Sequence, residues 1–326
     1  MIFSWQQDQW QYLWQAKQSN RLPHALLFAG IKGTGKAIFA DHFSRALLCQ
    51  HVKADGKYCG QCHACHLVAG RVHPNVYWVE PEKAGQAIKI DQIRMMNEFI
   101  YQSSFDGNYR IAIIDPADAM NVNAANALLK TLEEPASGAL MILIANEAAI
   151  LPATILSRCQ RVLFPCPSRE LAISWLQTEL KDKSNVDLLL SLTHGAPLAA
   201  KNLSESNLLQ LRVELLNGLS ALIKKSLDPL GLTNQLQGIE AIQFVDYFLS
   251  FLTDLLQLQL AVSQQAIINT DFNQELNALK SVTNSQSNLS LYQHLLKLRK
   301  QINLGINLNK QLLIEDIIIQ WMRCAA

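Results

Sequence analysis

Along the first 167 residues, apolar positions gather into short runs separated by polar stretches that contain glycine and proline. Residues 25–29, 76–79, 110–114 and 140–145 are nearly continuous apolar runs, the pattern of strands buried on both faces of a parallel sheet. Between them the period changes. Over residues 124–134, Ala125, Leu128, Leu129 and Leu132 share one helical face. Alternation of this kind predicts an α/β domain ending near Pro167. Beyond Pro165-Cys166-Pro167 only the helical period remains, over 168–180, 186–193, 208–222, 239–260, 289–298 and 311–323. The last of these is apolar almost all round, which predicts burial in a bundle or against partners. His194-Gly195-Ala196-Pro197 breaks the chain, and the Ser/Asn/Gln-rich stretch 283–288 reads as a loop.

Punctuation supports the division. Eight of ten prolines and nine of fourteen glycines fall within the first 167 residues. Charge then narrows the function classes. Lys and Arg total 28 against 27 Asp and Glu, a net charge of +1, and charged residues are 17% of the chain while hydrophobic ones are 49%. That balance excludes a disordered chain. It also argues against a self-sufficient nucleic-acid binder, which carries a strongly basic footprint. Such low charge suggests surface hidden in an assembly. The pairs Lys224-Lys225 and Lys297/Arg299-Lys300 are the densest basic spots and read as solvated helix faces. The N-terminus lacks a basic segment followed by an apolar one, and the long apolar stretch 239–262 is interrupted by Glu240, Asp246 and Asp254. A cytoplasmic location is expected.

The candidate chemistry begins after the first strand. Gly30-Ile31-Lys32-Gly33-Thr34-Gly35-Lys36 has the spacing of a phosphate-binding loop, in which backbone N–H groups wrap a phosphate and Lys36 reaches its oxygens. The plainer reading is a Gly-rich turn. The pattern wants a Ser or Thr hydroxyl next, for Mg²⁺, and Ala37 stands there instead. Asp115 ends the run 110–114, where a carboxylate suits Mg²⁺ or simply caps a turn. The residue after it, where a general base would stand, is Pro116. Asn146, ending the run 140–145, suits either a γ-phosphate sensor or a strand cap. A missing metal hydroxyl and a missing base together predict that the domain does not hydrolyse ATP. Seven cysteines include Cys49, Cys59, Cys62 and Cys65, spaced C-x9-C-x2-C-x2-C, as a closed structural Zn²⁺ site requires. His63 and His66 are adjacent alternatives, and Cys159, Cys166 and Cys324 read as small core residues.

Three strings carry a family resemblance: Leu22-Pro-His-Ala-Leu-Leu-Phe28, Asn126-Ala-Leu-Leu-Lys-Thr-Leu-Glu-Glu-Pro135 and Thr154-Ile-Leu-Ser-Arg-Cys159. Together they resemble the bacterial clamp-loader branch of the AAA+ ATPases, the machinery that serves DNA polymerase III in DNA replication. The likeness is strong to about residue 164 and looser beyond. It implies an AAA+ P-loop domain over 1–167 with a zinc module at about 49–66. A helical lid over 168–207 and an all-α collar domain for oligomerisation over 208–326 would follow. It further implies that Arg158 is an arginine finger reaching a neighbour's ATP, although an arginine at such a place is ordinarily a surface residue. Where the family carries a further arginine, after the glycine near 195, this chain has Leu198 and Ala199. The implied role is a non-hydrolysing stator in a hetero-oligomeric ring with gamma/tau-type and delta-type subunits, acting on the sliding clamp and primed DNA. Bound structural zinc is expected, and Gly30, Gly33, Gly35, Lys36, Asp115 and Asn146 form a degenerate nucleotide site. The competing readings are an ATP-hydrolysing motor subunit and a zinc-dependent DNA-binding protein with a vestigial P-loop.

Overall fold

A computed structural model describes residues 2–83, 85–102, 109–224, 226–236, 238–260, 267–303, 306 and 308–325. The chain divides into two compact units, Met1–Pro167 and Ser168–Ala326. Lys225 of the basic pairs and residues 261–262 lie outside the described residues. Among the described residues, no helix is long and apolar enough to cross a membrane.

The first unit is built on strands β1 (Ala25–Ala29), β2 (Val76–Val79), β3 (Arg110–Ile114), β4 (Ala139–Ala145) and β5 (Gln160–Leu163). Its helices are α1 (Gln7–Gln18), α2 (Lys36–Leu48), α3 (His63–Ala69), α4 (Ile90–Tyr101), α5 (Val122–Glu133) and α6 (Ala153–Leu156). The strands pair in the order β2-β3-β4-β1-β5, all parallel. Because side chains alternate across a strand, the apolar runs feed two cores. Leu27, Met141 and Leu143 pack with Ile93, Met96 and Leu128 on one face, while Leu26, Phe28, Ile142 and Ile144 pack with Trp10, Phe39 and Phe43 on the other. β5 carries no such run: it is an edge strand paired only with β1, and only Val162 of its four residues is buried. Its pattern therefore gives no strand signal. α1 is equally quiet in sequence, because glutamines surround the buried triplet Trp10, Leu13 and Trp14.

The second unit is helical throughout: α7 (Arg169–Glu179), α8 (Val186–Leu192), α9 (Pro197–Ser204), α10 (Leu208–Ile223), α11 (Pro229–Gln235), α12 (Ala241–Gln259), α13 (Asn273–Val282), α14 (Ser285–Asn303) and α15 (Lys310–Met322). α7, α8 and α9 share a small core of Ala172, Leu176, Leu189, Leu190 and Ala200. The longer helices enclose a larger one, in which Trp321 stacks edge-on against Phe248 and donates its indole N–H to the Leu219 carbonyl at 2.9 Å. Residues 285–288 are the first turn of α14 and not loop. The Asn284 side-chain oxygen accepts the N–H groups of Gln286 and Ser287, and Asn288 is buried against Gln259 and Thr283. These polar residues start a helix by capping it. α15 is not buried all round either. Leu313, Ile314, Ile317 and Ile318 face the core, while Leu312, Ile319 and Met322 face outward.

One buried polar network ties α10 to the segment before α13. Arg212, 1% exposed, forks onto Asp271 at 2.7 and 2.8 Å and donates to Asn269 Oδ1 at 2.6 Å. Asn269 in turn donates its backbone and side-chain N–H groups to Asp254 at 2.7 and 2.6 Å. Arg212→Ala would leave the buried Asn269 without its donor and the partly exposed Asp271 without its cation. It is expected to destabilise the helical unit by about 1–3 kcal/mol, read as an earlier unfolding transition in denaturant while the α/β unit holds.

Candidate functional site

The pairing of β1 with β4 sets Ala29 beside Ala145, so the loop that follows β1 and Asn146 that follows β4 emerge together. Gly30 needs to be glycine. A Cβ there would lie 2.2 Å from the Phe164 carbonyl oxygen at the end of β5. Gly33 and Gly35 both turn the loop with φ of 91°, in the left-handed region that glycine tolerates. α2 then starts at Lys36.

Lys36 is 3% exposed, and its ammonium group points back into its own loop. Its Nζ donates to the carbonyls of Gly30 at 2.6 Å and Ile31 at 2.8 Å, and to Asn146 Oδ1 at 3.0 Å. Burial pushes its pKa down to about 8, against the attraction of Asp115 and Asp118. Burial, with Glu80 nearby, pushes the Asp115 carboxyl up to about 6, while Lys36 pulls the other way. The N-terminal segment covers the loop from outside, Trp5 Nε1 and Gln6 Nε2 donating to the Thr34 carbonyl at 3.1 and 3.0 Å. Gly33, Gly35, Lys36 and Asn146 are thus brought together, with Asp115 near enough to act on Lys36 electrostatically. The strand end is capped by Asp118, which accepts the N–H groups of Asn146 and Glu147. Nothing in the spacing singled out Asp118, Trp5 or Gln6, since their contacts span 28 or 29 residues of sequence.

Arg158 lies just past α6, away from the phosphate loop. Its Nη1 donates to the Thr154 carbonyl at 2.8 Å and to Ser157 Oγ at 3.4 Å, and its Nη2 pairs with Glu133 Oε1 at 2.5 Å. The side chain remains 34% exposed. A permanent, partly solvated cation in this position can be reached from outside the chain. Cys159, its neighbour, is buried and its thiol is pushed up to about 12 by desolvation. Cys324 is buried as well, whereas Cys166 is only half-buried and near Lys36.

Cys49, Cys59, Cys62 and Cys65 form the second constellation, their sulfurs all within 4.8 Å of one another. Cys49 follows α2, Cys62 caps α3 and Cys65 lies one turn inside it. Cys59–Cys65 and Cys49–Cys62 sulfur distances are 4.0 and 3.9 Å. A tetrahedron of metal–thiolate bonds of about 2.3 Å has edges of about 3.8 Å, so the set fits a four-coordinate ion. N–H groups of Gln61 and Cys62 draw the Cys59 thiol down to about 6, whereas burial raises Cys49 and Cys65. The four cysteines could therefore hold a metal ion whose charge would bring all of them to thiolates. His63 and His66 are exposed on α3 and outside the cluster. The segment between Cys49 and Cys59 is clamped to α1, Trp10 and Trp14 donating their indole N–H groups to the carbonyls of Asp55 and Ala54 at 3.1 Å each. Tyr58 bonds His42 of α2 at 2.6 Å.

Comparison with known proteins adds lineage to this geometry. A family model described as DNA polymerase III, delta subunit, matches residues 5–168. A second, described as DNA polymerase III, delta subunit, C terminal, matches residues 206–323. DNA polymerase III subunit delta' of Pseudomonas aeruginosa is 33% identical over 98% of this chain and 97% of its own length. The Yersinia pestis subunit delta' is 30% identical over 98% and 95% respectively. Subunit tau of Bacillus subtilis is 35% identical, but over 47% of this chain and 26% of its own. Likeness to delta' thus runs through both units, where likeness to tau covers less than half, and the chain belongs to the DNA polymerase III subunit delta' family.

Proposed function

We propose that this chain is the non-hydrolysing stator of a DNA polymerase III clamp loader, an AAA+ subunit that holds the ring together and lends Arg158 to a neighbour's ATP. The observation that carries the reading is the contrast between the two cations. Lys36, which would have to reach a phosphate, is consumed by its own loop and Asn146. Arg158 stays accessible on the surface. The absent hydroxyl at Ala37 and absent base at Pro116 point the same way. A guanidinium supplied across a subunit boundary spreads positive charge over the transferring phosphoryl oxygens, at a cost the ATP-binding subunit does not bear.

On this reading residues 1–167 are the P-loop domain, 168–207 the lid and 208–326 the collar through which gamma/tau-type and delta-type subunits are bound. The separate small core of α7–α9 supports the lid. The outward face of α15, where Leu312, Ile319 and Met322 recur at helical spacing, supports a contact surface in the collar. Sliding clamp and primed DNA are engaged by the assembled ring, which fits a subunit of net charge +1. Zinc is the ion that suits four thiolates at tetrahedral spacing, and its role is to tie the end of α2 to the loop at 59–62 and the start of α3.

In a reconstituted loader, Arg158→Ala is expected to leave assembly intact while removing most turnover at the one ATP site it serves, about 10³-fold there. Steady-state ATPase would fall by that site's share, and clamp loading with it. Normal rates would remove the finger role. The isolated chain is expected to show no Mg-ATP turnover; turnover that Lys36→Ala abolishes would favour the motor reading instead. Leu312→Lys with Ile319→Lys should weaken ring assembly on a sizing column without lowering the melting temperature of the chain alone. Elemental analysis is expected to find one zinc per chain, and Cys62→Ser should lose it together with several degrees of melting temperature. A chain that retains its melting temperature after chelation would contradict the tie.

A further inference from the structure

We infer that Glu133 is a positioning residue for Arg158, a carboxylate on a rigid helix that holds the finger's guanidinium in place before a neighbour's phosphate arrives. The inference rests on the reading of Arg158 as a trans finger and adds a second residue to it. α6, which carries Arg158 just past its end, is a single turn of four residues. An arginine there has several rotatable bonds and, left alone, would lose substantial rotamer freedom on engaging a ligand. The fold removes that freedom in advance from two directions. The Thr154 carbonyl, one turn back, takes Nη1 at 2.8 Å, and Glu133 takes Nη2 at 2.5 Å.

Glu133 can do this because it is the last residue of α5, a helix anchored by the buried Ala124, Ala125, Leu128, Thr131 and Leu132. Thr131 is further bound to Asn97 of α4 at 2.9 Å. The ion pair therefore transfers the rigidity of the sheet-packed layer to a group on a short, exposed turn, as precise catalytic placement requires. Glu133 does not use up the finger. A guanidinium has more N–H donors than the contacts to Thr154, Ser157 and Glu133 consume, so phosphoryl oxygens can be added while the carboxylate stays. Both partners are partly solvated, which limits the pair's strength and predicts a modest effect.

The test uses the reconstituted loader with ATP as the probe. Glu133→Gln keeps the side-chain shape and removes the charge. It is expected to leave subunit assembly and the KM for ATP unchanged and to lower turnover at the site Arg158 serves about two- to five-fold, so that the loader's kcat falls by less than it does in Arg158→Ala. In an Arg158→Ala background the same substitution should have no further effect, which a merely structural role for Glu133 would not predict. An unchanged or raised kcat, or an added loss in the Arg158→Ala background, would overturn the inference. A normal rate for Arg158→Ala by itself would instead remove the finger reading, so the two failures are distinct. If glutamine lowers the melting temperature of the isolated chain, Glu133→Met, which keeps the aliphatic stem, repeats the measurement.

Discussion

β1 is hydrogen-bonded on both sides, to β4 and to β5, and the placement of the phosphate loop and of Arg158 follows from that pairing. Ala29 pairs with Ala145 on one edge and Leu163 on the other. The phosphate loop therefore leaves the sheet wedged between Asn146 and Phe164, with Gly30 so close to the Phe164 carbonyl that no side chain fits. The connection from β4 to β5 must then pass beside β1, and it is this connection that contains α6 and Arg158. A single parallel pairing thus sets a buried lysine at the strand end and an accessible arginine in the crossover that follows.

The same geometry explains why the two cations behave differently. Lys36 starts a helix whose preceding loop presents carbonyl oxygens inward, and in a low-dielectric pocket an ammonium group must be solvated by something. The loop's own carbonyls and Asn146 provide that solvation. Any incoming phosphate would have to displace these contacts, with no hydroxyl at position 37 to hold a metal. Arg158 meets the opposite situation. Its side chain is a third exposed even with Thr154 and Glu133 bound, and its charge does not depend on pH.

The cysteine module illustrates a different division of labour. Four sulfurs can be gathered by any loop long enough to bring them together, but the loop must also be held. Here the holding is done by aromatic residues distant in sequence, with Trp10 and Trp14 of α1 bonded to the carbonyls at 54 and 55 and Tyr58 bonded to His42. α1 thereby serves both the phosphate-loop face of the sheet, through Trp10 against Phe39 and Phe43, and the cysteine loop.

Residues whose environment is uniform could be read directly. Strands buried on both faces announce themselves as the apolar runs 25–29, 110–114 and 140–145, the half-buried edge strand at 76–79 is apolar enough to be read beside them, and the cysteine spacing and Gly-rich loop are local patterns closed within a few tens of residues. β5 and α1 were silent because an edge strand with a single buried residue and a glutamine-rich helix carry little apolar periodicity. The stretch 283–288 misled because capping residues and loop residues are the same polar types. By itself the sequence determined the alternation of strand and helix, the four-sulfur spacing and the broken positions at Ala37 and Pro116, all of which depend on neighbours along the chain. The tertiary structure alone decided that Lys36 is engaged by Asn146, 110 residues away, and that Arg158 is held by Glu133. Such contacts join groups that only the strand order makes adjacent, so no pattern of local spacing can contain them.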